Sequence, residues 1–242
     1  MASTKEKPDY GVDAPFVIRN FFVGGMALLL IGVLFPTIHV GSVTFAVRPM
    51  SRSMAAGFVI AGVLMLAYGK WGKYRHRDRI LSMIDWKGNE SVLDVGTGRG
   101  LLMIGAAKRL SSGRAVGIDI WNAADLSGNR MENTLHNADL EGVREKVEVR
   151  SKDAANMRFP DCSFDVVLSN LCLHNIPTRE GRQKACREIV RVLKPGGTAI
   201  ISDFIGLGDY ARAFQAAGAK AERIGLFILD TFPPLGIVRV TK

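Results

Sequence analysis

Between Asn20 and Val47 the chain carries no aspartate, glutamate, lysine or arginine, which excludes a solvent-facing amphipathic helix over that stretch. Cysteine is nearly as scarce. Cys162, Cys172 and Cys186 are odd in number and lack C-x-x-C spacing, which excludes a disulfide framework and a cysteine-rich zinc cluster and agrees with a reducing compartment. The four histidines include no H-x-x-x-H pair, so no catalytic metal is expected. Neither an internal repeat nor a low-complexity tract is present, which argues against a solenoid. Acidic residues are in deficit, 23 against 32 lysines and arginines, for a net charge of +9.

What fills the uncharged gap is apolar on every face. Phe21 to Phe35 runs to Pro36, which ends a first membrane-span candidate, and Ser53 to Gly69 supplies a second uncharged run. Two membrane-crossing helices joined by a short connection are expected over residues 15–70, after a polar, loose tail at 1–14. Arg52 and Lys70 can snorkel, and Tyr68, Trp71 and Tyr74 suit headgroup depth. A cleavable signal peptide is disfavoured, because no small-x-small site follows promptly and a second apolar span comes after. Lys5, Lys7 and Arg19 precede the first span; Lys70, Lys73, Arg75, Arg77 and Arg79 follow the second; only Arg48 and Arg52 lie between. That asymmetry predicts an integral membrane protein with both ends cytoplasmic, and a basic collar attracted to anionic lipid.

The most informative stretch lies beyond the hairpin. Val92-Leu93-Asp94-Val95-Gly96-Thr97-Gly98-Arg99-Gly100 is an apolar strand running into a turn with glycine at alternate positions, followed by a helix over Leu101 to Leu110. Glycines there permit positive φ and close approach of a ligand to the backbone, and the helix aims its N–H groups at the site. Leu101 occupies the place of the third glycine in a dinucleotide fingerprint, so the pyrophosphate pattern fails. Arg114 to Ile120 is a second strand, bringing the Asp119 carboxylate 19 residues beyond Gly100, the spacing at which an acidic side chain accepts ribose hydroxyls. Lys146 to Arg150, Phe164 to Asn170 and Thr198 to Asp203 read as three more strands, and Leu193 to Gly197 as a helix stop and turn. Helices are expected over 75–84, 129–140, 179–192 and 209–217, and two last strands over 223–230 and 236–241.

VLDVGTGRG, GIDIW, SKDAA, FDVVLSNLCLHN and LKPGG, in that order, make residues 76–242 resemble the class I S-adenosylmethionine-dependent methyltransferases, in their small-molecule branch. The resemblance implies a doubly wound, seven-stranded, mostly parallel α/β sheet over 71–242, preceded here by the hairpin. It implies that Asp94, Gly96, Thr97, Gly98 and Gly100 hold the methionine end of S-adenosylmethionine, and that Asp119 binds the ribose. Ile120 and Trp121 would pack on adenine, Asp153 with Ala154 would meet its amino edge, and Asn170 with Leu171 would sit beside the methionine end. Trp121 also reads as a half-buried aromatic and Asp153 as a helix-turn N-cap. Base and planar-amide methyltransferases carry an Asn-Pro-Pro-aromatic motif where this chain has Ser169-Asn170-Leu171-Cys172, so no nucleic-acid partner is expected.

The chemistry implied is in-line methyl transfer to a substrate nucleophile, leaving S-adenosylhomocysteine. His174 is the candidate general base, since imidazole titrates near neutrality and the loop after the fourth strand borders the crevice. Asp203 and Tyr210 are expected near the acceptor. The hairpin favours a small apolar or membrane-partitioned acceptor, a quinone or phenol, a lipid or a thiol. The alternative is a membrane-tethered sensor or scaffold that binds S-adenosylmethionine without turnover.

Overall fold

A computed structural model describes residues 6–242. Lys5, one of the basic residues ahead of the first apolar run, lies outside the described residues. Helix α1, Pro15–Leu34, leads into a two-stranded antiparallel ribbon, β1 Thr37–Val40 and β2 Val43–Ala46, turned at Gly41. Helix α2, Val47–Ala67, returns alongside α1 and passes through a π-helical turn, Tyr68–Gly72, into α3, Lys73–Ser82. At about 1.5 Å per residue, α1 spans about 30 Å, the thickness of a bilayer's hydrocarbon core. Both helices are long and apolar enough to cross a membrane, by length and composition. The second begins earlier than its uncharged run suggested. Arg48 and Arg52 are wound into its first turns at the ribbon end, where Arg48 Nε donates to Gly32 O at 3.2 Å.

The two helices meet through small side chains. Gly25 and Gly32 of α1 and Ser51, Ala55 and Gly62 of α2 are buried, while most of the leucines, valines and methionines of both helices face outward. A Cβ on Gly32 would collide with Ser51 Oγ. This is the reverse of a water-soluble helical pair, where large apolar residues fill the seam, and it matches the close-packed seams of helices in lipid.

The rest of the chain is the expected α/β sheet. Its elements are β3 Ser91–Val95, α4 Leu101–Ala107, β4 Arg114–Asp119, α5 Met131–Leu140, β5 Val147–Ser151, β6 Phe164–Asn170, α6 Arg179–Val192, β7 Leu193–Asp203, α7 Leu207–Ala216, β8 Lys220–Phe227 and β9 Leu235–Thr241. The strand order is β5-β4-β3-β6-β7-β9-β8, parallel throughout except for β9, which runs antiparallel to both β7 and β8. Buried Leu93, Val95 and Val167 face one layer of helices, and Val92, Val166 and Leu168 the other, as a sheet covered on both sides requires. The order reverses at β3, which lies between β4 and β6, and the crevice beyond their carboxyl ends is where such folds bind ligands.

Three sequence expectations are corrected. Leu193 already pairs with Phe164, so β7 starts at the end of α6 and Lys194 to Gly197 forms an irregularity within its pairing to β6 rather than a turn before it. Strand β8 ends at Phe227, since its register with β9 is set from Lys220 opposite Thr241, and Ile228 to Asp230 fall in the connecting loop. Residues 6–14, expected to be loose, are a strap bound across the domain. Tyr10 is buried with its hydroxyl donating to Glu141 at 2.9 Å, Asp9 exchanges hydrogen bonds with Asn137, and Val12 and Ser127 bond reciprocally.

The basic collar is thinner than the sequence suggested. Lys73 is 3% exposed and donates to the carbonyls of Tyr10 and Gly11, and Arg79 is paired with Asp230 at 2.6 Å. Lys70 and Arg75 remain exposed.

Candidate active site

Strand β3 delivers Asp94 beneath the glycine turn. Its Oδ2 accepts from Thr97 Oγ1 and from the N–H of Met103, both at 2.9 Å, so the carboxylate fastens the turn to the start of α4. Its Oδ1 is buried and has no partner among the described residues. Burial pushes the Asp94 carboxyl up to about 7, moderated by the bonds from Thr97 and Met103. Gly96, Gly98 and Gly100 all have positive φ, at 75°, 53° and 88°. At two of them internal packing also demands glycine: a Cβ on Gly96 would strike Cys172, and one on Gly100 would press on Ile104. Gly100 sits behind the turn and does not line the cavity.

Asp119 ends β4, and its carboxylate is an organising centre. Oδ2 accepts the Gly98 N–H at 2.8 Å, while Oδ1 accepts the Trp121 N–H at 2.7 Å and Asn129 Nδ2 at 3.1 Å. The same group that the sequence assigned to ribose therefore also fixes the glycine turn and the loop that follows β4, and the carboxylate keeps acceptor capacity for hydroxyl donors. Ile120 lines the cavity and is exposed to it. Trp121 does not line it: its φ of 63° and the bond from Nε1 to Ser151 Oγ at 2.7 Å turn the indole away, toward β5. Asp153 and Ala154 line the adjoining wall, and Asp153 Oδ1 accepts from Ala155 N, the local turn its sequence also suggested.

Opposite the glycine turn, β6 ends at Asn170 and the chain enters Leu171 with φ 53°, a left-handed conformation held by Leu171 N to Ser202 O at 3.0 Å. This sharp exit presents Asn170, whose buried Oδ1 meets no partner in hydrogen-bond geometry among the described residues, and then His174. His174 Nδ1 lies 2.8 Å from Asp203 Oδ1, and its ring stacks edge-on with Phe204 at 4.7 Å. Asp203, at the end of β7, is fully buried and accepts from the N–H groups of His174 and Phe204, with the Tyr210 hydroxyl 3.4 Å away. Burial and the Asp203 charge push the Tyr210 phenol up, so it stays protonated. Burial likewise keeps Cys172 a neutral thiol, which suits a packing role.

These groups surround one cavity of about 830 Å³, within the range of small-molecule sites at about 300–1,000 Å³. It runs from the glycine turn, past Asn170 and His174, to Val17, Phe21 and Met65 at the base of the hairpin. The sequence reading missed Asp13, Tyr68 and Lys73 as wall residues. Their approach depends on contacts 60 or more residues apart, such as Lys73 to Tyr10, which no local spacing records.

Residues 93–201 match the methyltransferase-domain family. Over residues 93–201 the α/β domain carries a methyltransferase domain, in the fold of S-adenosylmethionine-dependent methyltransferases. The chain is similar to the 27-O-demethylrifamycin SV methyltransferase of Amycolatopsis mediterranei, 30% identical over 62% of this chain and 50% of that one. It is similar to the sterol 4-C-methyltransferase strm-1 of Caenorhabditis elegans, 30% identical over 54% and 36% respectively. The chain spans about half the length of the curated relatives it matches. In fold it resembles a SAM-dependent methyltransferase from Aquifex aeolicus, with a TM-score of 0.55 and 18% identity over 69% of this chain and 89% of that one. S-adenosylmethionine is the cofactor of this methyltransferase domain, and the site fits it. Among the described residues Asp94 Oδ1 and Asn170 Oδ1 are buried acceptors without partners in hydrogen-bond geometry, beside a turn that brings backbone to the cavity, and Asp119 stands at the adjacent strand end.

Proposed function

We propose that the protein is a membrane-anchored methyltransferase of a small lipophilic acceptor, such as a quinone, phenol, lipid or thiol. The observation that carries this reading is the continuity of the cavity from the glycine turn and His174 to the apolar base of the hairpin at Val17, Phe21 and Met65. An acceptor dissolved in the bilayer would meet an apolar path to the reacting centre, and anchoring raises its local concentration. The inside-out packing of α1 and α2 supports the bilayer as the hairpin's surroundings. So does the β8–β9 loop, which presses on the hairpin's exit at Gly72, lines the cavity with Phe232 and Pro233, and carries the exposed Leu229. Basic residues at the domain end of the hairpin favour a cytoplasmic methyltransferase domain.

When bound, S-adenosylmethionine supplies an electrophilic methyl group on a sulfonium and departs as S-adenosylhomocysteine. The residues around the crevice then have distinct duties. Asp94 and Asp119 hold the glycine turn in the shape that receives the cofactor. Asp203 anchors the His174 backbone and sits against its ring, which fixes the imidazole at the crevice. His174, half-buried on the acceptor side, accepts the proton released by an oxygen or thiol nucleophile as it attacks. Apolar Val17, Phe21, Met65 and Phe204 exclude water from the path. Alignment of nucleophile, methyl and sulfur supplies most of the rate, since positioning alone is worth about 7–11 kcal/mol in model reactions.

The test is methyl transfer from labelled S-adenosylmethionine by detergent-purified full-length protein supplied with membrane lipid extract. Label is expected in the organic fraction, with His174→Gln slowing turnover by about 10²–10⁴-fold at unchanged cofactor affinity. Label in the aqueous or protein fraction alone would reject a lipophilic acceptor. Cofactor binding with no transfer to any fraction would favour the sensor or scaffold.

A further inference from the structure

Three polar groups on one wall of the cavity have no partner outside their own cluster that meets hydrogen-bond geometry among the described residues. Asp13 Oδ2 comes from the strap, the Tyr68 hydroxyl from the hairpin base, and Asn170 Oδ1 from the end of β6. All three atoms are buried; the Tyr68 hydroxyl is within hydrogen-bonding reach of the Asn170 side chain and lies near Asp13, so that acceptor capacity of the cluster still faces the cavity. Buried polar atoms are nearly always paired, so three together on a cavity wall mark a place where a ligand completes them. Their chemistry is one-sided: a carboxylate oxygen, an amide oxygen and a hydroxyl that can accept. Lys73 does not satisfy the carboxylate, because its ammonium is spent on the Tyr10 and Gly11 carbonyls and stands 3.8 Å from Asp13 Oδ2. The backbone is arranged to hold this cluster. Tyr68 opens the π-helical turn that joins α2 to α3, a device that re-aims side chains and recurs at functional sites. Asp13 is fixed by the bonds from Ala14 N to Asp125 O and from Ser127 N to Val12 O, which tie the strap to the loop beyond Asp119.

We propose that Asp13 and Tyr68, with Asn170, form the subsite for the α-ammonium of the methionine end of S-adenosylmethionine, so that the strap and hairpin base complete the cofactor pocket. This rests on the methyltransferase reading above. A primary ammonium brings three N–H donors and a positive charge to three acceptors, one of them anionic. A carboxylate at the same place would instead face the Asp13 charge. The consequence is that the hairpin is coupled to cofactor binding, not merely appended to the domain.

Calorimetry on the full-length protein in detergent distinguishes the possibilities, with S-adenosylmethionine and 5′-methylthioadenosine as ligands. The second keeps adenine, ribose and sulfur and lacks the amino-acid end. Asp13→Asn is expected to weaken S-adenosylmethionine by about ten- to a hundred-fold while leaving methylthioadenosine within about two-fold. Tyr68→Phe, which removes one hydroxyl and preserves packing, is expected to weaken the first ligand by about three- to ten-fold and spare the second. Equal losses for both ligands in both variants, or no loss in either, would overturn the subsite while leaving the cofactor assignment intact. Failure of the unaltered protein to bind either ligand would overturn the cofactor reading and the subsite together.

Discussion

The α/β domain and the helical hairpin are both rich in leucine, valine and isoleucine, yet they dispose of them in opposite ways. In the domain Leu93, Ile118, Leu168 and Ile200 are at most 1% exposed, whereas in the hairpin Met26, Val33 and Ile60 are 69%, 64% and 57% exposed. Hydrophobicity alone therefore does not distinguish the regions. What does is where the small residues fall: in the hairpin, glycine, alanine and serine take the buried seam, the arrangement that the proposed bilayer surroundings would favour. The same comparison explains how the halves join. The domain uses polar side chains at the joint, with His76 of α3 bonded to Ser202 of β7 at 2.7 Å and Arg79 paired with Asp230.

The largest contrast is expected from one substitution made in each region. Leu93→Ala removes a fully buried side chain from the centre of the sheet and should cost about 2–5 kcal/mol. Leu30→Ala, at a position 57% exposed in α1, should change stability by less than about 0.5 kcal/mol. Denaturant titration of both variants in detergent micelles measures the difference. Similar costs would mean that Leu30 is covered by protein rather than by lipid or detergent.

The joint should yield to acid before either region does. Burial and the neighbouring Arg79 push His76 down from its ordinary value to about 4. Arg79 Nη1 lies 3.0 Å from Nδ1, which leaves Nε2 to donate to Ser202 Oγ, so the neutral ring is the one the fold uses. The folded value lies below the unfolded one near 6.5, so the contribution is intact above about 6.5 and is lost as pH falls toward 4, by up to about 3 kcal/mol. The melting temperature should therefore fall across that window, and His76→Gln should flatten the dependence. A profile unchanged by that substitution would move the acid sensitivity elsewhere.

The order of the five motifs was legible in the sequence because four of them join a strand to its ligand-facing turn within a dozen residues, while LKPGG marks where α6 passes into β7. Strands β3 to β7, the positive-φ glycines and Asp119 at the tip of β4 all follow from such short-range patterns. The parts that were not legible are those made by distant contacts. Nothing near Tyr10 announces Glu141 as its partner, and Lys73 reads as one more member of a basic run until the strap is laid over it. Trp121 was placed against adenine by its position after Asp119, but the indole direction depends on Ser151 in the neighbouring strand. His174 and Asp203 were each singled out at the crevice, while their pairing needed the parallel alignment of β6 with β7.

Asp119→Asn comes next in expected size. It removes the charge from a side chain that accepts Gly98 N, Trp121 N and Asn129 Nδ2, and should weaken cofactor binding by about 1.5–3 kcal/mol. Because the loss falls on the ribose, S-adenosylmethionine and 5′-methylthioadenosine should weaken together in calorimetry. That pattern separates Asp119 from Asp13, and unchanged affinity for both would remove Asp119 from the site.

The smallest effect tests the seam itself by comparing two glycines of the hairpin. A Cβ on Gly57 of α2 meets nothing within 4 Å, so Gly57→Ala should stabilise the helix by about 0.5–1 kcal/mol through reduced backbone freedom. Gly32 of α1 faces Ser51 Oγ and the Arg48 backbone, so the same change there must push the helices apart and should cost about 1 kcal/mol despite the helical gain. Thermal melts of the two variants in one detergent should shift in opposite directions. A shift of the same sign would mean that Ser51 rotates out of the way and that the seam tolerates a methyl group, which would leave the glycines of α1 explained by backbone approach to lipid rather than to α2.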